Sequence, residues 1–137
     1  MTRVTRMAAG LAGVSLTAAC LVAAPATAAS EYGRTAAPDR VLRSGCHDYG
    51  YRFRITAPTD DWTLETFLRD PTGATIASGT FLSDSDAQLR HSRFRFCRYS
   101  TRPGVFRIRA LLTWYGEFGE EHRVWLDTSR FRLSRPR

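Results

Sequence analysis

Arg93–Trp114 reads RFRFCRYSTRPGVFRIRALLTW, and its alternation decides the fold class. Phe94 and Phe96 alternate with Arg93, Arg95 and Cys97; after Pro103-Gly104, the residues Phe106, Ile108, Ala110, Leu112 and Trp114 alternate with Arg107, Arg109, Leu111 and Thr113. A period of two over this length marks half-buried strands, with one greasy face and one arginine face. Pro-Gly in the connection suits a turn, because Gly tolerates a positive φ. The stretch therefore predicts a long antiparallel hairpin at the centre of a β-sandwich.

The same alternation extends in both directions. Upstream, Tyr51, Phe53 and Ile55 alternate with Arg52 and Arg54, and Trp62, Leu64, Thr66 and Leu68 alternate with Thr63, Glu65, Phe67 and Arg69. Asp70-Pro71-Thr72-Gly73 is a strong hairpin signal, returning into a weaker strand over residues 74–82. Downstream, Val124 and Leu126 set one parity over residues 122–127, whereas Phe131 and Leu133 set the other. Asp127-Thr128-Ser129 must then hold a bulge or a break, since one unbroken strand would turn one apolar set outward. No segment after the amino terminus has a helical period, and no repeat is present. About seven short strands separated by turn signals predict a single-domain, all-β, antiparallel β-sandwich. In pattern the layout is similar to immunoglobulin-like domains. However, the Tyr that such domains usually place two residues before the second Cys is here Arg95.

The chain start reads differently. Arg3 and Arg6 precede an uncharged apolar run over residues 7–24, followed by Ala26-Thr27-Ala28. This is the pattern of a secretory signal peptide, residues 1–28, cleaved near Ala28. Cys20 as a lipid-anchored amino terminus is a minor alternative, because Thr17-Ala18-Ala19 lacks the large aliphatic residue usual three positions upstream. Residues 29–40 show no periodicity and are expected to be a flexible leader into the domain, 41–137. An exported, extracellular location follows, with no transmembrane segment in the mature chain.

Two cysteines remain after cleavage, Cys46 and Cys97, and in an exported chain they form one disulfide. Cys46 shares parity with Arg52 and Arg54, and Cys97 with Arg93 and Arg95. The bond is thus expected on polar faces, tying neighbouring strands or a strand to its lead-in. All 20 basic residues of the 137-residue chain are arginine. Without Arg3 and Arg6, 18 arginines face 13 acidic residues, a net charge of +5. That charge favours acidic partners, and lysine-free, Ala- and Arg-rich usage fits a GC-rich bacterial genome.

Signals for catalysis are weak. His47, His91 and His122 are the only histidines, and no Gly-x-Ser-x-Gly elbow occurs. Asp60-Asp61 and Glu120-Glu121 lie in predicted turns, where carboxylates serve the backbone. Asp84 and Asp86 could offer oxygens to Ca²⁺, but lack the Gly and distal Glu of an EF-hand loop. No cofactor is implied, and no enzyme activity is expected.

The distinctive surface is the outward set of the central strands. Arg107, Arg109, Tyr115, Arg123 and Trp125 mix guanidinium groups with aromatic rings, and Phe118 stands at the adjoining turn. Such a set can bind acidic groups while stacking on sugar rings. The reading is a non-catalytic binding module for a cell-wall polymer, an anionic glycan or a protein; nucleic acid is disfavoured, because the arginines are spread over most strands. The alternative is a secreted inhibitor of an extracellular enzyme, presenting residues 83–88 or 115–120.

Overall fold

The computed structural model describes residues 31–137, so the expected signal peptide, its expected cleavage point near Ala28 and Cys20 lie outside the described residues. Within them the chain is all β apart from one 3-10 turn, Arg98–Ser100. The strands are β1 (Gly33–Ala36), β2 (Arg40–Val41), β3 (Cys46–Ile55), β4 (Trp62–Arg69), β5 (Thr75–Leu82), β6 (Leu89–Cys97), β7 (Gly104–Tyr115), β8 (Glu121–Trp125) and β9 (Ser129–Ser134). They form two sheets. Sheet I has the order β1-β3-β6. Sheet II has the order β2-β9-β7-β4-β5, with β8 also paired to β7. Every pairing is antiparallel except β2 with β9, which makes sheet II mixed.

The central hairpin expected from Arg93–Trp114 does not form. β6 pairs with β3 in sheet I, whereas β7 pairs with β4, β8 and β9 in sheet II. The connection, tightened by the 3-10 turn, carries the chain from one sheet to the other. Alternation fixes which side chains face inward, and Phe94, Phe96, Phe106 and Ile108 are indeed all buried. It carries no information on which strand lies alongside, and both sheets satisfy the same inward set.

The flexible leader also gives way to structure. β1 adds to the edge of β3, with Gly33 opposite Ile55 and Ala36 opposite Arg52. Arg40–Val41 joins β9, and the Leu42 N–H donates to the Ser134 carbonyl at 2.9 Å. Backbone bonding along an edge needs no apolar period, which is why the sequence there reads as a leader. Only Thr35 and Leu42 turn fully inward, and Thr35 shares a 2.6 Å hydrogen bond with Ser129 of the other sheet.

The break near Asp127 is present as a one-residue bulge. Leu111 faces Trp125 and Ile108 faces Ser129, so three steps along β7 match four on the opposing chain. The extra residue resets parity, and both Leu126 and Phe131 become buried. Long β7 is therefore flanked on one side by β4 from Arg107 to Trp114. On the other it meets β9 along its first half and β8 along its second.

The buried faces of the two sheets share one apolar cluster. Phe53 of sheet I packs on Phe81 of sheet II with ring centroids 4.6 Å apart, and Phe96 meets Phe106 at 5.9 Å. Besides Thr35–Ser129, a buried polar bridge joins the sheets from Tyr51 Oη to Thr66 Oγ1 at 2.8 Å. Burial raises the Tyr51 pKa, so the phenol stays protonated and the bridge intact at neutral pH.

Asp70 locks the β4–β5 turn and links it to the chain crossing between sheets. Its Oδ1 accepts from Thr72 N, Thr72 Oγ1 and Ala74 N at 2.9, 2.6 and 3.1 Å, and its Oδ2 accepts from Thr101 Oγ1 at 2.8 Å. Gly73 takes the left-handed conformation the turn needs, at φ 90°. Burial disfavours the Asp70 carboxylate, but those hydrogen bonds outweigh it and leave the pKa below its ordinary value of 3.8. A depressed carboxyl pKa adds stability above the unfolded-state value, and that stability is lost as pH falls through the folded value. Asp70→Ala should therefore cost about 3 kcal/mol at pH 7 through unpaired donors. It should also flatten the pH dependence of stability below about pH 4, as urea titrations at pH 7 and pH 3 would show.

Candidate functional site

Phe106, Ile108, Ala110 and Leu112 of β7 are sealed in the core, so Arg107, Arg109 and Leu111 between them form the spine of the outer face of sheet II. The six sequence candidates all lie on β7, β8 or their connecting turn, but they do not form one cluster. Arg109 and Trp125 come together: the guanidinium lies 4.1 Å from the indole centroid. Phe67, the register partner of Arg109 on β4, approaches the same indole at 6.0 Å with the rings tilted by 49°. Trp125 is thus partly capped, yet remains 43% exposed. A cation–π contact at such an exposed site contributes about 0.5–1 kcal/mol, enough to orient the pair without burying it.

Tyr115 and Arg123 converge instead on Glu121. Arg123 forms an ion pair with its carboxylate, and Tyr115 Oη donates to Glu121 Oε2 at 3.3 Å. The negative charge of Glu121 raises the Tyr115 pKa, holding the phenol in its donor form. Phe118 stands apart at the tip of the β7–β8 turn, 91% exposed, with Gly119 at φ 80° closing the turn behind it.

Arg107 belongs to a third group, which the sequence reading missed. Its register partners are Arg69 on β4 and Arg130 on β9. Three arginines therefore stand side by side across adjacent strands, about 4.8 Å apart per strand step. Like charges directly opposite one another destabilise a sheet. None of the three takes part in the ion pairs found among the described residues. Arg69 Nε is buried and has no hydrogen-bond partner among the described residues. The outward parity of Arg69 and Arg130 was readable; their adjacency to Arg107 required the β9-β7-β4 order. Arginines on adjacent strands in this way suit oxyanions, to which Arg donates in bidentate fashion.

The remaining candidates serve local structure. Asp86 accepts from the Leu82 N–H at 2.9 Å and pairs with Arg90, so its carboxylate is already engaged. Among the described residues, no group of three His, Cys, Asp or Glu is placed to hold a metal ion. His47 Nε2 contacts the Ser44 carbonyl at 2.7 Å, and His122 stacks on Trp114 at 5.3 Å. His91 borders a surface cleft on sheet I together with Arg40 and Arg52, and among the described residues no carboxylate lines that cleft. Among the described residues no helix is long and apolar enough to cross a membrane.

Cys46 and Cys97 are bonded and are direct partners in the β3–β6 register. Cys46 is exposed and Cys97 half-buried, so the bond staples two neighbouring strands on the outer side of sheet I. It differs in this from an inter-sheet core disulfide. Compared with protein-family models and with curated proteins, the chain matches none.

Proposed function

We propose that the protein is an exported, non-catalytic binding module that takes an anionic glycan or wall polymer on the outer face of sheet II, at or near a bacterial cell surface. The observation that carries this reading is the row Arg69-Arg107-Arg130 beside the Arg109–Trp125 stack. The row supplies charge with no ion-pair partner among the described residues, and the half-exposed indole supplies a surface for a sugar ring. Export is supported by the amino-terminal pattern and by the disulfide, which persists in oxidising surroundings. We read the two facing sheets as a β-sandwich of the broad immunoglobulin-like kind, with its bond within one sheet.

The test is retention of the purified protein on insoluble cell-wall material. Arg109→Ala with Trp125→Ala, or Arg107→Ser with Arg130→Ser, should reduce retention about tenfold or more, at the scale of one or two charge-assisted contacts. Retention should also weaken with added salt. Thermal midpoints should stay nearly unchanged, because all four side chains face outward. Unaltered retention in both double variants would sink the proposal.

A second reading rests on Phe118, whose 91% exposure at a short Gly-flanked tip resembles the presented loop of an enzyme inhibitor. Dose-dependent inhibition of an extracellular protease, lost in Phe118→Ala, would favour it over the binding module.

A further inference from the structure

We propose that sheet I carries a second, independent site: an open strand edge on β3 that accepts a short, extended, acidic peptide segment of a partner protein. β1 covers only part of the β3 edge, ending where Ala36 faces Arg52. The direction of the backbone groups beyond that point follows from two hydrogen bonds. The Ile55 N–H donates to Gln88, on the β6 side, and the Thr56 N–H donates to Tyr32, on the β1 side. The β3–β6 register runs without a slip from Arg54 to Cys46. Even-numbered residues of β3 therefore point their N–H and C=O toward the β1 side, and Gly50 and Asp48 do so where β1 has already left. The next residue in line on the β1 side would face Gly50, and that residue is Pro38, which has no N–H to give. From Ala37 the chain departs to join sheet II at Arg40.

The departure leaves a cleft of about 490 Å³ bordered by Pro38, Arg40, Gly50, Arg52 and His91. An unpaired edge of this kind is a template for strand addition, in which main-chain bonds give affinity and flanking side chains give selectivity. Gly50 keeps the floor open: an added Cβ would meet nothing closer than the Ser92 carbonyl at 3.8 Å. Charge selects the occupant. Arg40, Arg52 and His91 line the cleft, with no acidic residue among the described residues that border it. The nearby Asp48 is already flanked by Arg93 and Arg95 at 3.7 and 3.5 Å. A glycan could meet the arginines but could not supply alternating N–H and C=O groups to Gly50 and Asp48.

The experiment uses the disulfide-bonded protein and a fluorescein-labelled hexapeptide of alternating Glu and Val, read by anisotropy and by amide chemical shifts. Binding should shift the amides of Asp48, Gly50 and Arg52. Gly50→Trp, which fills the cleft, and Arg52→Ser with His91→Ser should each weaken binding at least tenfold. A peptide N-methylated at alternate amides should bind at least tenfold more weakly, and a Lys-for-Glu peptide should not bind. Absence of shifts at Gly50 and Asp48 at millimolar peptide would overturn the site. Equal binding of the N-methylated peptide would overturn strand addition, and equal binding of the Lys peptide would overturn the charge argument. Because Gly50, Arg52 and His91 all lie on sheet I, their replacement should leave retention on wall material untouched, so the two proposals fail separately.

Discussion

Phe106→Ala is expected to destabilise the protein by about 4 kcal/mol, at the upper end of what aromatic truncation in a core costs. Phe106 is fully buried in the first half of β7 and is the register partner of Phe131, with ring centroids 5.7 Å apart. It also reaches Phe96 on sheet I at 5.9 Å, so its ring fills the space between the sheets and not merely a gap within one. Deleting it removes apolar contact on both sides and leaves a cavity that neither sheet can close without shifting its ladder. For a domain of this size that loss is a large fraction of the total stability. Phe118→Ala is the control: the same chemistry at a 91% exposed position should change stability by less than about 0.5 kcal/mol. Urea unfolding of both variants decides the matter. Equal small effects would mean that the two sheets are not held together through this ring.

Side-chain parity was the legible part of this molecule. Of the inward residues named on β7 from alternation, Phe106, Ile108, Ala110 and Leu112 are buried and Trp114 is half-buried, and the parity reversal around Asp127 appears as the expected bulge. Parity worked because it is local: each residue's face follows from its neighbour's. Strand partnership is not local, and there the reading failed. β6 and β7 looked like a hairpin because a Pro-Gly turn separates them, yet the chain uses that connection to change sheets. The same blindness hid half of the candidate site. Arg69 and Arg130 are about sixty residues apart in sequence and have the correct parity, but only the order β9-β7-β4 lines them up with Arg107. Arg109 and Trp125, by contrast, were named together, since β7 and β8 are joined by a short turn and their pairing is local. β1 was lost for a different reason. Gly33–Ala36 contributes backbone bonds and one buried Thr to the sheet, which leaves no hydrophobic signature.

Replacing both Cys46 and Cys97 by Ser should lower stability by about 4 kcal/mol while leaving the folded structure almost as it is. The bond joins residues 51 apart in sequence, enclosing β3, β4, β5 and β6. In the chain-entropy account, releasing a loop of that length returns roughly 4 kcal/mol of freedom to the unfolded chain. The contrast with Phe106 lies in where the effect acts. The sulfurs sit on the outer side of sheet I, so their loss opens no cavity, and the stacked Tyr49–Phe96 rings beneath, 4.4 Å apart, keep their contact. The double variant should therefore show near-native amide shifts below its melting temperature, with changes confined to the Cys46 end of the β3–β6 ladder. A larger denaturant m-value is also expected, because the unfolded chain, no longer cross-linked, exposes more surface. Exposure of Cys46 carries a kinetic corollary: a small thiol should reduce the bond in the folded protein, at a rate insensitive to low concentrations of urea. Reduction that required global unfolding would instead track the unfolded population, rising steeply with urea. That outcome would place the bond inside the core and contradict the outward parity on which the strand assignments rest.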